Sequence, residues 1–207
     1  MKSKVRMTEQ SIGKGPARGS RSRGKSKEAE ADTLAIRDAE GLSEFMASIA
    51  RREPDPDRIL FICIGTDRST GDAFGPLLGS MLKEQGWKHV IGTLEEPCDA
   101  HAVESAVCRA AVLQGSDKLT LIAVDACLGK PQSVGGFITR EGSLQPGAAT
   151  GRRLPAVGDY SIAGVVNLNG VKAYGMLQTT SLHLVMGMAK QAARAIREAW
   201  LAEANNG

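Results

Sequence analysis

The feature that most constrains this chain is a pair of nearly unbroken apolar runs, each followed at once by a polar stretch carrying an acid. Arg58-Ile-Leu-Phe-Ile-Cys-Ile64 stops at Gly65, and Leu119-Thr-Leu-Ile-Ala-Val124 stops at Asp125. A strand with one wet face alternates apolar and polar side chains, whereas a continuous run has both faces covered, as in a parallel sheet flanked by helices. Residues 89–94 form a weaker third run. Residues 76–85 and about 100–113 lie between the runs and are helical in pattern, the first opening on Pro76, a residue suited to a first helical turn. Strand, helix, strand, helix, strand predicts an α/β fold, a three-layer α/β/α arrangement with a mainly parallel sheet.

The flanks extend this plan. Leu42, Phe45, Met46 and Ile49 recur at three- and four-residue spacing, which predicts an amphipathic helix around 41–52, broken by Pro54 and Pro56. Beyond Asp125, short extended pieces at 133–139 and 161–167 flank a Gly- and Pro-rich stretch, 142–158, and predict a hairpin or sheet-edge extension. Leu182, Val185, Met186, Ala189, Ala193, Ile196 and Trp200 form a stripe at helical spacing behind the capping cluster Thr179-Thr180-Ser181, predicting a long core-covering helix.

Charge divides the chain unevenly. Residues 1–27 hold nine of the 26 Lys and Arg but, of the 23 acids, only Glu9, so the remainder is net acidic. Residues 1–30 carry almost no large apolar side chain, which predicts a disordered basic tail ahead of a single α/β domain at 31–207. The tail suits weak, salt-dependent binding of polyanions, while the acidic remainder and the scarcity of aromatic residues argue against specific nucleic-acid recognition. No window approaches the roughly 20 apolar residues of a membrane span, and no apolar segment follows the basic residues 1–7 as in a secretory signal. These features predict a cytoplasmic protein with no membrane contact. Cys63, Cys98, Cys108 and Cys127 form no Cys-x-x-Cys pair and read as reduced thiols rather than zinc ligands.

Two segments carry the candidate chemistry. Ile64-Gly-Thr-Asp-Arg-Ser-Thr-Gly-Asp-Ala-Phe-Gly-Pro76 follows the first buried run, and Val124-Asp-Ala-Cys-Leu-Gly-Lys130 places Asp125 at the end of the second. Loops at the carboxyl ends of strands line the ligand crevice of open α/β sheets, so Asp72 and Asp125 converge if their strands are neighbours. Two close carboxylates resist joint ionisation and can share a proton, one activating water while the other donates. The same two acids with His101 would instead hold a divalent metal in an open site, and no other cofactor is implied. Asp67 and Asp72 also suit the capping of turns, whereas an acid closing an apolar strand, as Asp125 does, must find partners or face water. Residues 65–70 lack the order and the lysine of a phosphate loop. Cys127 has no histidine near it in sequence to make it a nucleophile, and His183 falls beside the last helical stripe rather than on it.

Taken together, Cys63-Ile-Gly-Thr-Asp-Arg-Ser-Thr-Gly-Asp72 with Gly75-Pro76, Gly92-Thr-Leu-Glu-Glu-Pro97, Asp125-Ala-Cys-Leu-Gly-Lys130, Gln145-Pro-Gly-Ala148, Leu154-Pro-Ala-Val-Gly-Asp159 and Leu177-Gln-Thr-Thr180 resemble the YyaC-like sporulation protein family, over about 58–195. That family is similar to the spore germination protease and the hydrogenase maturation endopeptidases. The resemblance implies their three-layer fold, a protein or peptide substrate, and a catalytic acid pair at Asp72 and Asp125; in the nickel-reading maturation enzymes, comparable acids contact metal. It makes Asp67 and Asp159 second-tier site residues and gives Gly65, Gly71 and Gly75 the task of shaping the loop. The chain departs from the family pattern at Asp99, where a histidine is expected two positions after Pro97, with His101 displaced. The resulting expectation is an endopeptidase of sporulating cells, its rival a catalytically silent relative that binds a peptide or sporulation partner in the same cleft. The sequence carries no signal for an oligomeric state.

Overall fold

The computed structural model describes residues 35–117, 119–146 and 156–206. In chain order they form β1 (Ala35–Arg37), α1 (Ala39–Arg52), β2 (Ile59–Cys63), α2 (Phe74–Glu84), β3 (His89–Ile91), α3 (Val103–Asp117), β4 (Thr120–Gly129), β5 (Phe137–Glu141), β6 (Tyr160–Leu168), α4 (Ala173–Gln178) and α5 (Leu182–Asn206). The strands make one mixed sheet in the order β1-β5-β6-β4-β2-β3. β3, β2, β4 and β6 run parallel, while β5 lies antiparallel to β6 and β1 antiparallel to β5. The α/β architecture expected from the apolar runs is present, and the neighbouring of β2 and β4 on which the convergence of Asp72 and Asp125 depends is part of it.

Strand alternation sorts the core into two sides. Ile59, Phe61 and Cys63 pack with Leu42 of α1, Phe74 of α2 and Ile196 of α5, whereas Leu60 and Ile62 pack with Val103, Ala106 and Ala110 of α3. All five residues of β2 are buried, and each large one contributes roughly 1.5–3 kcal/mol through burial. On the first side Trp87 stands edge-on between Phe61 and Trp200, with ring centroids 5.0 and 5.2 Å away. The Trp200 indole N–H donates to the Glu53 carbonyl at 3.0 Å, fixing α5 to the end of α1.

From β2 the chain crosses through α2 to β3 on one side, then returns through α3 to β4 on the other. The strand order therefore reverses between β2 and β4, and a crevice opens at their carboxyl ends.

Several boundaries differ from the sequence expectation. β4 does not end at Asp125 but continues to Gly129. Its residues 120–124 pair with β2, and the rest is sustained by β6 alone, with a register shift between Cys127 and Leu128. α2 begins at Phe74 rather than Pro76 because the Phe74 ring is fully buried against the core. β6 is not at the edge but lies between β4 and β5, and β1 and α4 had no counterpart in the pattern. The expected tail, 1–30, and part of the Gly- and Pro-rich stretch lie outside the described residues. Among those residues no helix is long and apolar enough to cross a membrane.

Candidate active site

The loop after β2 folds back on itself, and two glycines allow it. Ile64 N–H donates to Val124 O at 2.7 Å and Gly65 N–H to Cys98 O at 3.0 Å, so the chain leaves the sheet only after bonding both neighbours. Gly65 then adopts φ 144°, and a Cβ there would lie 2.0 Å from the Asp72 carbonyl oxygen. A Cβ on Gly75 would lie 2.1 Å from Ile64 O. Only glycine permits approaches this close, and Thr66 N–H donating to Asp72 O at 3.3 Å closes the loop. Gly71 N–H donates to Leu177 O at 2.8 Å, tying the loop to α4. Asp72 is thereby carried back to the carboxyl end of β2.

Asp125 stands where the cover of β4 runs out. It shares strand parity with Leu121 and Ala123, which are buried on the α3 side, but β2 pairs only as far as Val124. Ala126 N–H donates to Asp125 Oδ1 at 2.8 Å, a contact that stabilises negative charge on the carboxylate. That charge is felt nearby. The Cys127 thiol is pushed up to about 12, first by burial and then by Asp125, and Cys98 to about 12, by burial and then Asp99 and Asp125. Cys127 lines the cleft but is held as a neutral thiol, which removes the thiolate a nucleophilic role requires.

Asp72 and Asp125 line one cleft of about 810 Å³, along with Gly65, Ser69, Asp99, His101, Leu144, Ala163 and Tyr174. A cavity of that size fits a ligand as large as a short peptide. The two acids meet unlike conditions there. Burial raises the Asp72 carboxyl above the usual carboxylate range, with the neighbouring Ser69 hydroxyl opposing. The first cause of that rise is lost hydration, so the environment of Asp72 differs from that of Asp125, whose Oδ1 is met by a backbone N–H.

The other candidates divide between this cleft and the rest of the molecule. Gly65 lines the cleft, while Gly71 and Gly75 hold its loop through the close approaches above and Asp67 is exposed on that loop outside the lining. Asp159 sits at the opposite end of the sheet beside a cavity of about 140 Å³. Its Oδ2 accepts from Leu121 N–H at 2.8 Å, and its own N–H donates to Leu121 O at 2.8 Å. His101 is exposed at the cleft rim. Asp99 closes the turn that leads into α3, its Oδ1 accepting from the N–H groups of His101 and Ala102 at 2.9 and 3.1 Å, while its Oδ2 accepts from Arg68 Nη2 at 3.2 Å. Among the described residues no group of three His, Cys, Asp or Glu is arranged to hold a metal ion. The set Asp72, Asp125 and His101 therefore does not fit a divalent cation. His183 is exposed and does not line the cleft.

Sequence reasoning missed the wall built by α4 and the end of β6. Asn167 Nδ2 donates to Met176 O at 2.9 Å and Thr180 Oγ1 at 3.2 Å, joining β6 to α4, whose Ala173 and Tyr174 face the cleft. It also missed Ser69, a buried serine of the loop, because a serine in a polar loop carries no signal of its own.

Comparison with known proteins agrees with this fold. The structure matches a NiFe hydrogenase maturation protease, HycI from Thermococcus kodakarensis, with a TM-score of 0.50 and 24% identity, over 70% of this chain and 93% of the other. At that identity the likeness establishes the architecture. The chain is 47% identical over 133 residues to the uncharacterized protein YyaC of Bacillus subtilis, an alignment spanning 63% of this chain and 64% of the relative's length. A family model described as "Protein of unknown function (DUF1256)" matches residues 33–195. With most of its length covered by that match, which spans the cleft-lining segments from the β2 loop to α4, the chain belongs to this family.

Proposed function

We propose that this chain is an endopeptidase in which Asp125 and Asp72 act as base and acid on a water bound in the cleft. The observation that carries the reading is a single crevice, at the carboxyl ends of parallel strands, that receives two carboxylates in unlike surroundings. Asp125, supported as an anion by Ala126 N–H, takes a proton from water as its oxygen attacks the scissile carbonyl carbon. Asp72, whose protonated form burial favours, gives its proton to the departing amine nitrogen, so that one C–N bond is replaced by one C–O bond and the acid and base exchange states. The maturation-protease architecture supports a hydrolase of proteins or peptides, and the motif resemblance supports a setting in the cytoplasm of sporulating cells. No step passes through a metal, because the donors are not gathered for one.

The test is incubation of the full chain with a mixed peptide library, read by mass spectrometry. Cleavage by the wild type, with at least a 1,000-fold loss in Asp125→Asn and an unchanged melting temperature, is the expected outcome. Intact activity in Asp125→Asn removes the mechanism. A non-catalytic reading draws on exposed apolar residues beside the cleft, Leu168, Val171 and Tyr174. It requires that a peptide bind equally well to the wild type and to Asp125→Asn without being cut.

A further inference from the structure

The cleft contains a buried hydroxyl without a hydrogen bond of full geometry among the described residues. Ser69 is 4% exposed, lines the cleft, and its Oγ has no hydrogen-bond partner among the described residues. The backbone that carries it is held in place. Ser69 O accepts from Ala73 N–H at 3.0 Å, and the turn it begins is anchored through Gly71 to Leu177 and through Thr66 to Asp72. Ser69 precedes Asp72 by three residues in this helical turn, a spacing that places two side chains on one face. The two are close enough for the hydroxyl to favour the ionised carboxylate, although short of full hydrogen-bond geometry.

Ser133 is the other described buried hydroxyl without a partner, and it lines neither cavity. Ser69 differs in facing open volume and an acid. A hydroxyl donates one hydrogen bond and accepts two, and a small buried polar space with two or more such partners is where proteins hold ordered water.

We propose that Ser69 and Asp72 form a seat for a bound water on the wall of the cleft, with Ser69 Oγ as the fixed anchor. What the water does there rests on the hydrolytic reading above; its presence does not. In catalysis it is the water that gives a proton to Asp125 as its oxygen attacks the scissile carbonyl carbon, and Ser69 is a positioning residue that holds that oxygen in line with the carbonyl. This role adds a third member to the site and gives a buried hydroxyl the partner that burial requires.

A high-resolution crystal structure of the full chain, wild type and Ser69→Ala, tests it together with peptide kinetics. The expected result is a water within about 3 Å of both Ser69 Oγ and an Asp72 oxygen, lost in Ser69→Ala. kcat should fall roughly 10–100-fold with KM nearly unchanged, and Ser69→Thr should restore both the water and the rate. Wild-type density without water at Ser69, or a Ser69→Ala enzyme that keeps the water and the rate, overturns the proposal. Water present in a wild type that cuts no peptide instead overturns the endopeptidase reading and leaves the seat standing.

Discussion

The two ends of β4 hold aspartates of the same chemistry in opposite employment. At the amino end, Asp159 bonds the Leu121 N–H through its side chain and the Leu121 carbonyl through its backbone, helping to set where β4 and β6 begin to pair. At the carboxyl end, Asp125 stands past the last residue paired with β2, and Asp72 is brought beside the same opening by a loop folded over two glycines. The fold uses the first carboxylate to satisfy backbone and leaves the others facing a cleft. An acid therefore reads as functional through the pairing around it, since apolar strands precede both Asp125 and, at a distance, Asp72.

Disrupting the carboxyl end at Gly65 should give the largest effect. In Gly65→Ala the new Cβ meets Asp72 O at 2.0 Å in a backbone conformation that disfavours side chains, so the loop must open. We expect a loss of at least about 2 kcal/mol in stability, a melting temperature lower by roughly 5–10 °C, and peptide cleavage reduced along with it; calorimetry and the library assay read both. A Gly65→Ala protein that melts and cuts like the wild type would show that the loop does not position Asp72.

At the amino end the smaller effect should be of the opposite kind. Asp159→Ala removes the hydrogen bond from Leu121 N–H to an exposed side chain, worth about 1 kcal/mol and roughly 2–4 °C in melting temperature, while cleavage per folded molecule stays at the wild-type level. Loss of cleavage without loss of stability would move Asp159 back into the site that the resemblance suggested for it.

How legible this was in the sequence depended on the range of the interactions involved. The buried runs at 59–63 and 119–124 announced the parallel centre because burial on both faces writes itself into consecutive residues. The loop acids followed, since an acid next to such a run has few structural reasons to be there. β4 beyond Asp125 was hidden because Asp125-Ala-Cys-Leu-Gly has no local strand pattern and is held extended by β6, residues distant in sequence. β1, with three residues pairing at the sheet edge, and α4, with six, are too short to leave a periodic trace. That Asp159 lies away from the cleft of Asp72 and Asp125 was hidden for the same reason, its partner Leu121 being 38 positions away. For the metal alternative at Asp72, Asp125 and His101 the described residues show no group of three donors, and sequence spacing could not reveal this, because His101 reaches the cleft from a different loop.

The central claim is that Asp72 and Asp125 hold unlike protonation states in one cleft, and the pH dependence of kcat/KM tests it most directly. A general acid must be protonated, and burial raises the Asp72 carboxyl, so wild-type cleavage should persist through the ordinary carboxylate range and decline as pH rises through that raised value. Asp72→Asn should retain between about one-hundredth and one ten-thousandth of the activity, and the residue of it should lack that decline. A full-rate Asp72→Asn enzyme with the wild-type profile would contradict the account.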